Sequence, residues 1–298
     1  MENIESKTVG LLNPKLVSCY LNSSMQILMR LGVLTRYLEN SPDKTSTVYP
    51  AIKEFVDKWR GLPEGDAFLP TSILDLNLLE ETEKPSQQDP SDFLSKILLH
   101  LGISFDVLTE TTRTCNVCQR ESFDREQEGL ELSLLESDQP VTMEMLIDFH
   151  SNAEIVENVE CQKCGNKTSQ KVCRQFLGEA PSFLRIALKR FIWGFRQRTR
   201  SRRAAVPEGI EVSTEVQIKS KLRLLVNNKQ TCYKLVGCIA RQGDKSICGH
   251  NFSLVQMSDE IWYELNDKKI TELFSWEALK QASQSGVIFF YKLVNLTN

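Results

Sequence analysis

Two cysteine pairs, Cys115-Asn-Val-Cys118 and Cys161-Gln-Lys-Cys164, have the spacing of metal ligands. Four thiolates so arranged suit one tetrahedral Zn²⁺, each pair forming a small chelating turn, and Gly165 lets the second turn tighten. Residues 119–160 separate the pairs, more than in a compact ribbon, so the metal is expected to pin two distant hairpins together. Ligation then offsets the conformational entropy of closing a long loop. Four unrelated buried thiols are the alternative. Neither pair opens a helix in a βαβ pattern, which argues against a redox role.

A fifth cysteine suggests nucleophilic chemistry. Leu21, Met25, Leu28 and Gly32 share one face of a pattern that predicts a helix over 21–38, with Asn22, Ser23 and Ser24 suited to its start. Cys19 falls just before or within the first turn, where the positive end of the helix dipole favours a thiolate. A buried structural cysteine is the competing reading. The base must come from three histidines. His100 ends the apolar run KILLHLG, and His150 sits in a polar junction after LIDF. His250 opens a β segment in Cys248-Gly249-His250-Asn251-Phe252, where Gly249 is expected to admit another backbone closely. Asn266 and Asp267, one strand and turn later, can accept from the imidazole N–H and orient the ring. Thiolate attack, proton return by imidazole and a third group fixing the tautomer would complete a Cys-His-Asn/Asp set. Alone, His250 reads first as a strand histidine satisfied by backbone; only together with Cys19, Asn266 and Asp267 does the catalytic reading prevail.

The elements that must position these residues follow from periodicity and turn chemistry. A second helix is predicted from Asp89, as N-cap before Pro90, to about His100, with Phe93, Leu94, Ile97, Leu98 and Leu101 as its apolar stripe. The stretch GLPEGDAFLP reads as loop. Leu130–Leu135 reads as a strand and Met143–Phe149 as a short helix. The second half is mostly β, over Phe183–Phe191, Tyr233–Ala240, Asn251–Gln256, Ile261–Leu265 and Val287–Val294, with a helix near Ser275–Ala282. Cys173, Cys232 and Cys238 fall in strand-like segments and are expected in the core; Cys248 is incidental to the chemistry. Trp262 and Tyr263 are expected to pack beneath a sheet, with part of a binding cleft as the alternative. FRQRTRSRR at 195–203 reads as a solvated hairpin tip, with nuclear import or an acidic partner as alternatives.

Composition sets the frame. The 298 residues are 41% hydrophobic and 25% charged, a globular balance, and the formal net charge of −3 makes no case for nucleic acid or a membrane surface. No stretch approaches the roughly 18 apolar residues of a membrane span. The polar N-terminus carries no secretory pattern, so a cytoplasmic or nuclear location is expected. Nine cysteines there speak for metal and catalysis over disulfides.

These blocks together resemble the ubiquitin-specific proteases along nearly the whole chain. GLLNPKLVSCYLNSSMQ at 10–26 resembles the family's Cys box, and QQDPSDFL at 87–94 its Gln-Gln-Asp block. The two C-x-x-C pairs come next, then PSFLRIALKRF at 181–191. GHNFSLV and WYELNDKKI follow, within a His box over 233–270. The resemblance implies an α+β, papain-like cysteine protease fold with a helical thumb, zinc-ribbon β fingers and a β-sheet palm. It implies one catalytic domain over 8–298, with the thumb at 8–104, the fingers mainly at 105–180 and the palm mainly at 181–298. Ubiquitin, or a relative of it, and its conjugates would be the partners. Its body would rest in the hand, its Gly-Gly tail would thread between thumb and palm, and the isopeptide or peptide bond after that tail would be cut. By position Cys19 matches the nucleophile, His250 the base, Asn266 the third member and Asp267 an assisting acid. Zn²⁺ on the four cysteines would be structural, and Gln88 and Asp89 would align the tail. Five residues before the nucleophile the family usually has an oxyanion-binding Asn. Here that position is Pro14, with Asn13 one residue further back. The usual Tyr after the catalytic His is Asn251, a usual His is replaced around Arg241, and the usual His-Glu is Ser91-Asp92. These departures mark a divergent member, for which weak turnover, scaffolding, or another ubiquitin-like modifier are the alternatives.

Overall fold

A computed structural model describes residues 7–40, 44, 46–79, 88–134, 137–196, 206–211, 214–245, 248–257 and 261–294. Most of the basic stretch at 195–203 lies outside the described residues. Among them the helices are α1 (Cys19–Arg30), α2 (Val33–Asn40), α3 (Val48–Gly61), α4 (Thr71–Leu74), α5 (Pro90–Leu101), α6 (Met143–Ser151) and α7 (Ser275–Ser285). The strands begin with β1 (Gly10–Leu11), β2 (Ala67–Phe68), β3 (Val107–Cys115), β4 (Glu121–Glu128), β5 (Leu130–Ser133), β6 (Val141–Thr142), β7 (Glu154–Glu160), β8 (Lys167–Leu177) and β9 (Phe183–Lys189). They continue with β10 (Phe191–Arg196), β11 (Val206–Glu211), β12 (Val216–Gln217), β13 (Lys221–Val226), β14 (Lys229–Lys245), β15 (Cys248–Gln256), β16 (Trp262–Asn266), β17 (Lys269–Leu273) and β18 (Gly286–Leu293). No helix among the described residues is long and apolar enough to cross a membrane.

The chain forms two compact units. The first comprises Met1–Ser104, Lys189–Ser213 and Val236–Phe289. Its first helix, α1, is buried along its whole length. The polar residues expected to start this helix lie inside it, satisfied locally: the Ser23 and Ser24 hydroxyls both donate to the Tyr20 carbonyl. The single helix expected over 21–38 is two helices. Gly32 takes a left-handed conformation, φ 65°, that costs glycine little, and α2 restarts at once. Helix α3, unforeseen, buries Val48, Ile52, Phe55, Val56 and Trp59 at helical spacing, and Pro50 sits in its first turn, where a missing N–H costs nothing. Arg30 of α1 stacks over the Trp59 ring at 4.8 Å, and burial lowers the pKa of its guanidinium to about 9. Helix α5 follows expectation: Asp89 caps it by accepting from the Ser91 N–H at 2.7 Å, and Gly102, φ 64°, ends it. Its Phe93 meets Tyr20 of α1 edge to face.

Behind α1 in this unit the antiparallel strands run in the order β17-β16-β15-β14. The Ser253 hydroxyl on β15 donates to the Ser23 carbonyl at 2.8 Å. A Cβ on Gly237 of β14 would lie 2.9 Å from Ile27, so glycine lets helix and sheet approach closely. Trp262 is buried as expected, whereas Tyr263 is half-buried. Cys238 is buried, but Cys173 and Cys232 are only half-buried, so the core expectation holds for one of the three.

The second unit comprises Phe105–Leu188, Thr214–Leu235 and Phe290–Asn298. Its four-stranded antiparallel sheet has the order β4-β3-β8-β7. Phe105 packs on Phe183 and Phe290, and α6, capped by Thr142, spans the expected short helix. Asn227 and Asn228, both at positive φ, turn β13 back into the first part of β14.

Candidate active site and metal cluster

The first unit assembles the candidate catalytic residues from four segments. Cys19 is the first residue of α1, behind Ser18, and is fully buried. No side chain caps that helix. The Ser18 N–H and hydroxyl donate instead to Asn13 Oδ1, at 3.1 and 3.0 Å, which ties the 13–18 loop and leaves the helix dipole unopposed at Cys19. A turn closes within that loop. Leu16 N–H donates to the Asn13 carbonyl, and Leu16 takes φ 56°, a left-handed conformation that L-residues rarely hold.

His250 enters from β15. Its Nε2 lies 2.6 Å from Asn266 Oδ1 and 3.8 Å from Asp267 Oδ2, and the ring hydrogen-bonds Cys19. Two side chains that sequence reasoning missed set the polarity of that line. Asn266 Nδ2 donates to Glu264 Oε1 at 3.4 Å, and Glu264 Oε2 accepts from Gln281 of α7 at 3.1 Å. With its N–H₂ directed to a carboxylate, Asn266 presents oxygen to the ring. His250 Nε2 is then the protonated nitrogen and Nδ1 faces the sulfur. Only the alternation of Glu264 with Asn266 along β16 hinted at this.

Asp267 is clamped by two amides from far away in sequence. Asn22 Nδ2 donates to its Oδ1 at 2.8 Å and Asn13 Nδ2 to its Oδ2 at 3.1 Å. The backbone secures the same turn: Leu11 N–H donates to the Asp267 carbonyl at 3.0 Å, and a Cβ on Gly10 would lie 2.8 Å from Lys268 Cα. Gly10 is thus required by close approach. Gly249 also has a close neighbour, of another kind than expected. A Cβ there would meet the Arg241 guanidinium at 2.5 Å, so it is a side chain and not a backbone that comes close.

Burial pushes the Cys19 thiol up. The hydrogen bonds from His250 and the Asn251 backbone N–H, with the nearby imidazolium, outweigh it, so the net pKa falls below the ordinary thiol value despite the opposing Asp267 charge. The hydrogen bond to Cys19 raises His250 most; burial opposes, Asn266 and Asp267 add, and the ring reaches about 9. The two therefore titrate as one thiolate–imidazolium pair. His100, exposed at the end of α5, and His150, at the end of α6, take no part.

Pro14, Ser18, Tyr20, Leu21, Leu69 and Phe93 help line a cleft of about 250 Å³ beside the start of α1. Asp89, exposed, spends one oxygen on its helix cap; Gln88 precedes it.

In the second unit the four cysteines meet as the C-x-x-C spacing predicts. Their sulfurs all lie within 4.8 Å of one another, with Cys115 and Cys164 4.0 Å apart and Cys118 and Cys161 3.9 Å apart. The two turns repeat one geometry. Gln119 N–H donates to the Cys115 carbonyl and Gly165 N–H to that of Cys161, and both residues take positive φ, 57° and 69°. The N–H groups of Cys164 and Lys163 bring the Cys161 thiol down to about 6. The cluster can hold a metal ion.

A family model, ubiquitin carboxyl-terminal hydrolase, matches residues 9–291. The chain belongs to this family. Among curated relatives, ubiquitin carboxyl-terminal hydrolase 8 of Saccharomyces cerevisiae is 25% identical over 191 residues, which are 62% of this chain and 40% of that protein. The chain thus spans under half of that relative's length. A solved SAGA DUB module (Ubp8/Sgf11/Sus1/Sgf73) bound to monoubiquitin matches with a TM-score of 0.72 at 15% identity, covering 99% of this chain and 71% of that one. The same module bound to ubiquitin aldehyde gives the same values. A yeast module carrying an Sgf73 mutant gives 0.73 at 16% identity, covering 99% and 70%. The chain therefore has the expected α+β, papain-like fold.

Proposed function

We propose that the chain is a thiol-dependent deubiquitinase that hydrolyses the isopeptide or peptide bond after the Gly-Gly tail of ubiquitin. The observation that carries this reading is the line Cys19–His250–Asn266, with Nε2 2.6 Å from Oδ1 and the ring bonded to the sulfur. Membership of the hydrolase family and likeness to modules solved with ubiquitin and with ubiquitin aldehyde support the substrate.

The chemistry follows from those atoms. The Cys19 thiolate adds to the carbonyl carbon of the terminal glycine. Negative charge gathers on that oxygen, where the Cys19 backbone N–H and the second Nδ2–H of Asn13 serve as donors. His250 gives its proton to the departing amine as the C–N bond breaks, leaving a thioester. Water then adds to the thioester carbon and yields a proton to His250. The C–S bond breaks, its electron pair returns to Cys19, and the tail leaves as a carboxylic acid that ionises. Asn266 holds the imidazole throughout, and Asp267 favours its charged form.

The tail has the cleft beside α1 available to it, and the second carboxylate oxygen of Asp89, with Gln88, offers a partner to a basic residue of the modifier. The domain reading is a single catalytic domain over 8–298, with thumb, fingers and palm as above. Zinc fits the cysteine cluster. A tetrahedral ion with Zn–S bonds near 2.3 Å sets sulfurs about 3.8 Å apart, close to the distances between the cross-paired cysteines. All four ligands are sulfur, the site is closed, and Zn²⁺ there would pin the β3–β4 turn to the β7–β8 turn. A second reading, a ubiquitin-binding scaffold with weak turnover, draws on Asn13. One of its N–H groups is committed to Asp267, which leaves the oxyanion fewer donors.

The test is a fluorogenic ubiquitin C-terminal substrate given to the protein and to Cys19→Ala. Turnover by the first and none by the second is expected. Tight ubiquitin binding without turnover would favour the scaffold, and cleavage of only another modifier's probe would move the substrate class.

A further inference from the structure

Asn251 lies in the strand beside the base, and its side chain has no part in the mechanism above. It is 2% exposed, and its Nδ2 sits 3.7 Å from the Cys19 sulfur. Its Oδ1 is buried with no hydrogen-bond partner. A carbonyl in that state is a cost that an apolar side chain of similar size would avoid, so the amide's value must lie in its N–H end. The strand geometry explains the aim. Asn251 and Ser253 share the face of β15 that lies on α1, and the Ser253 hydroxyl bonds Ser23, one helical turn beyond Cys19. A two-residue step along a strand, about 6.7 Å, nearly matches one helical turn. With Ser253 fixed on Ser23, Asn251 falls on Cys19.

We propose that Asn251 is a donor to the nucleophile: its side-chain N–H holds the Cys19 sulfur as acceptor before attack and receives it again when the thioester breaks. His250 cannot do both alone, because it carries the proton away to the amine in the first half of the reaction and takes one from water in the second. A fixed donor that never transfers its proton keeps the sulfur oriented while the imidazole cycles. The Asn251 backbone N–H reaches the same sulfur, so one residue supplies two donors to it. The inference rests on the reading of Cys19 as nucleophile, but its test needs no ubiquitin.

The titratable groups that face Cys19 are His250 on β15 and Asp267 on the β16–β17 turn, and every variant keeps both. Cys19 alkylation by iodoacetamide is followed across pH by mass spectrometry of its peptide. Asn251→Leu is expected to raise the midpoint by about one pH unit, because a hydrogen bond to the charged form is lost. Asn251→Asp, which puts a carboxylate in the same space, should raise it further. Melting curves report whether each variant folds. In the unaltered protein, NMR signals of the Asn251 side-chain amide should titrate with the same midpoint as Cys19 alkylation. Folded variants with an unmoved midpoint, or amide signals indifferent to that titration, would overturn the proposal. Inactivity toward ubiquitin with the shifts intact would count against the substrate reading alone.

Discussion

Two side chains compete to orient His250, and the structure ranks them. Asn266 Oδ1 lies 2.6 Å from Nε2, whereas Asp267 Oδ2 lies at 3.8 Å, beyond hydrogen-bond range. Asn266→Ala removes a hydrogen bond whose donor becomes an imidazolium. Such a bond is worth about 1.5–3 kcal/mol, and at 1.36 kcal/mol per decade kcat/KM should fall about 10- to 150-fold. The pH profile should move as well. His250 is raised to about 9, so the imidazolium is present below that pH and lost as pH rises through it. Its largest support, the bond to Cys19, survives the substitution. The alkaline limb should therefore slide downward without returning to the ordinary histidine range. Asp267→Asn leaves that short bond in place and removes a partly screened charge, so a loss under about tenfold is expected. The assay is kcat/KM for the fluorogenic ubiquitin substrate, measured across pH for both variants. If Asn266→Ala stays within about threefold of the parent with its limb unmoved, while Asp267→Asn loses more than a hundredfold, the distance ranking is wrong and the carboxylate is the third member.

Other outcomes follow from the same coordinates. The wild-type profile should be a bell whose alkaline limb lies near 9 and whose acid limb reflects Cys19, lowered from its ordinary value. In stability terms the raised His250 favours the fold fully below its unfolded value and loses that contribution as pH rises through about 9, which urea unfolding midpoints across pH would read. Metal analysis should return about one Zn²⁺ per chain, and chelation or Cys161→Ser should lower the melting temperature; an apo protein that melts with the holo form would refute a structural metal. Gly237→Ala drives a methyl to 2.9 Å from Ile27 and should destabilise by about 1–3 kcal/mol in denaturant titration. Leu16→Gly relieves an exposed left-handed leucine, φ 56°, and should stabilise by up to about 1 kcal/mol.

What was legible in the sequence was local. Asp89-Pro90 declares a helix start, each C-x-x-C declares a chelating turn, and Cys19 ahead of an apolar run declares a helix N-terminus. The third helix was missed because Pro50 and the charged residues between its apolar positions obscured a regular i, i+3, i+4 pattern. The break at Gly32 was missed because the apolar stripe continues beyond it. The site's finer parts were beyond reach for a different reason. Asn13 to Asp267, Asn22 to Asp267 and Asn251 to Cys19 join residues more than two hundred positions apart. An amide's partner is set by packing, which nothing in its own neighbourhood encodes. Gly249 shows the limit well, since its smallness was legible but the guanidinium it makes room for was not.

On the function proposed above, the clamp on Asp267 has a consequence for how turnover could be silenced. The amides that grip this carboxylate come from the loop before Cys19 and from the helix that Cys19 opens. A ligand that pried residues 13–18 outward would loosen the acid behind the imidazole without ever touching sulfur. Inhibition of that kind would show as a drifting pH optimum in an enzyme whose cysteine still reacts, and it would spare proteases that brace the same acid from elsewhere.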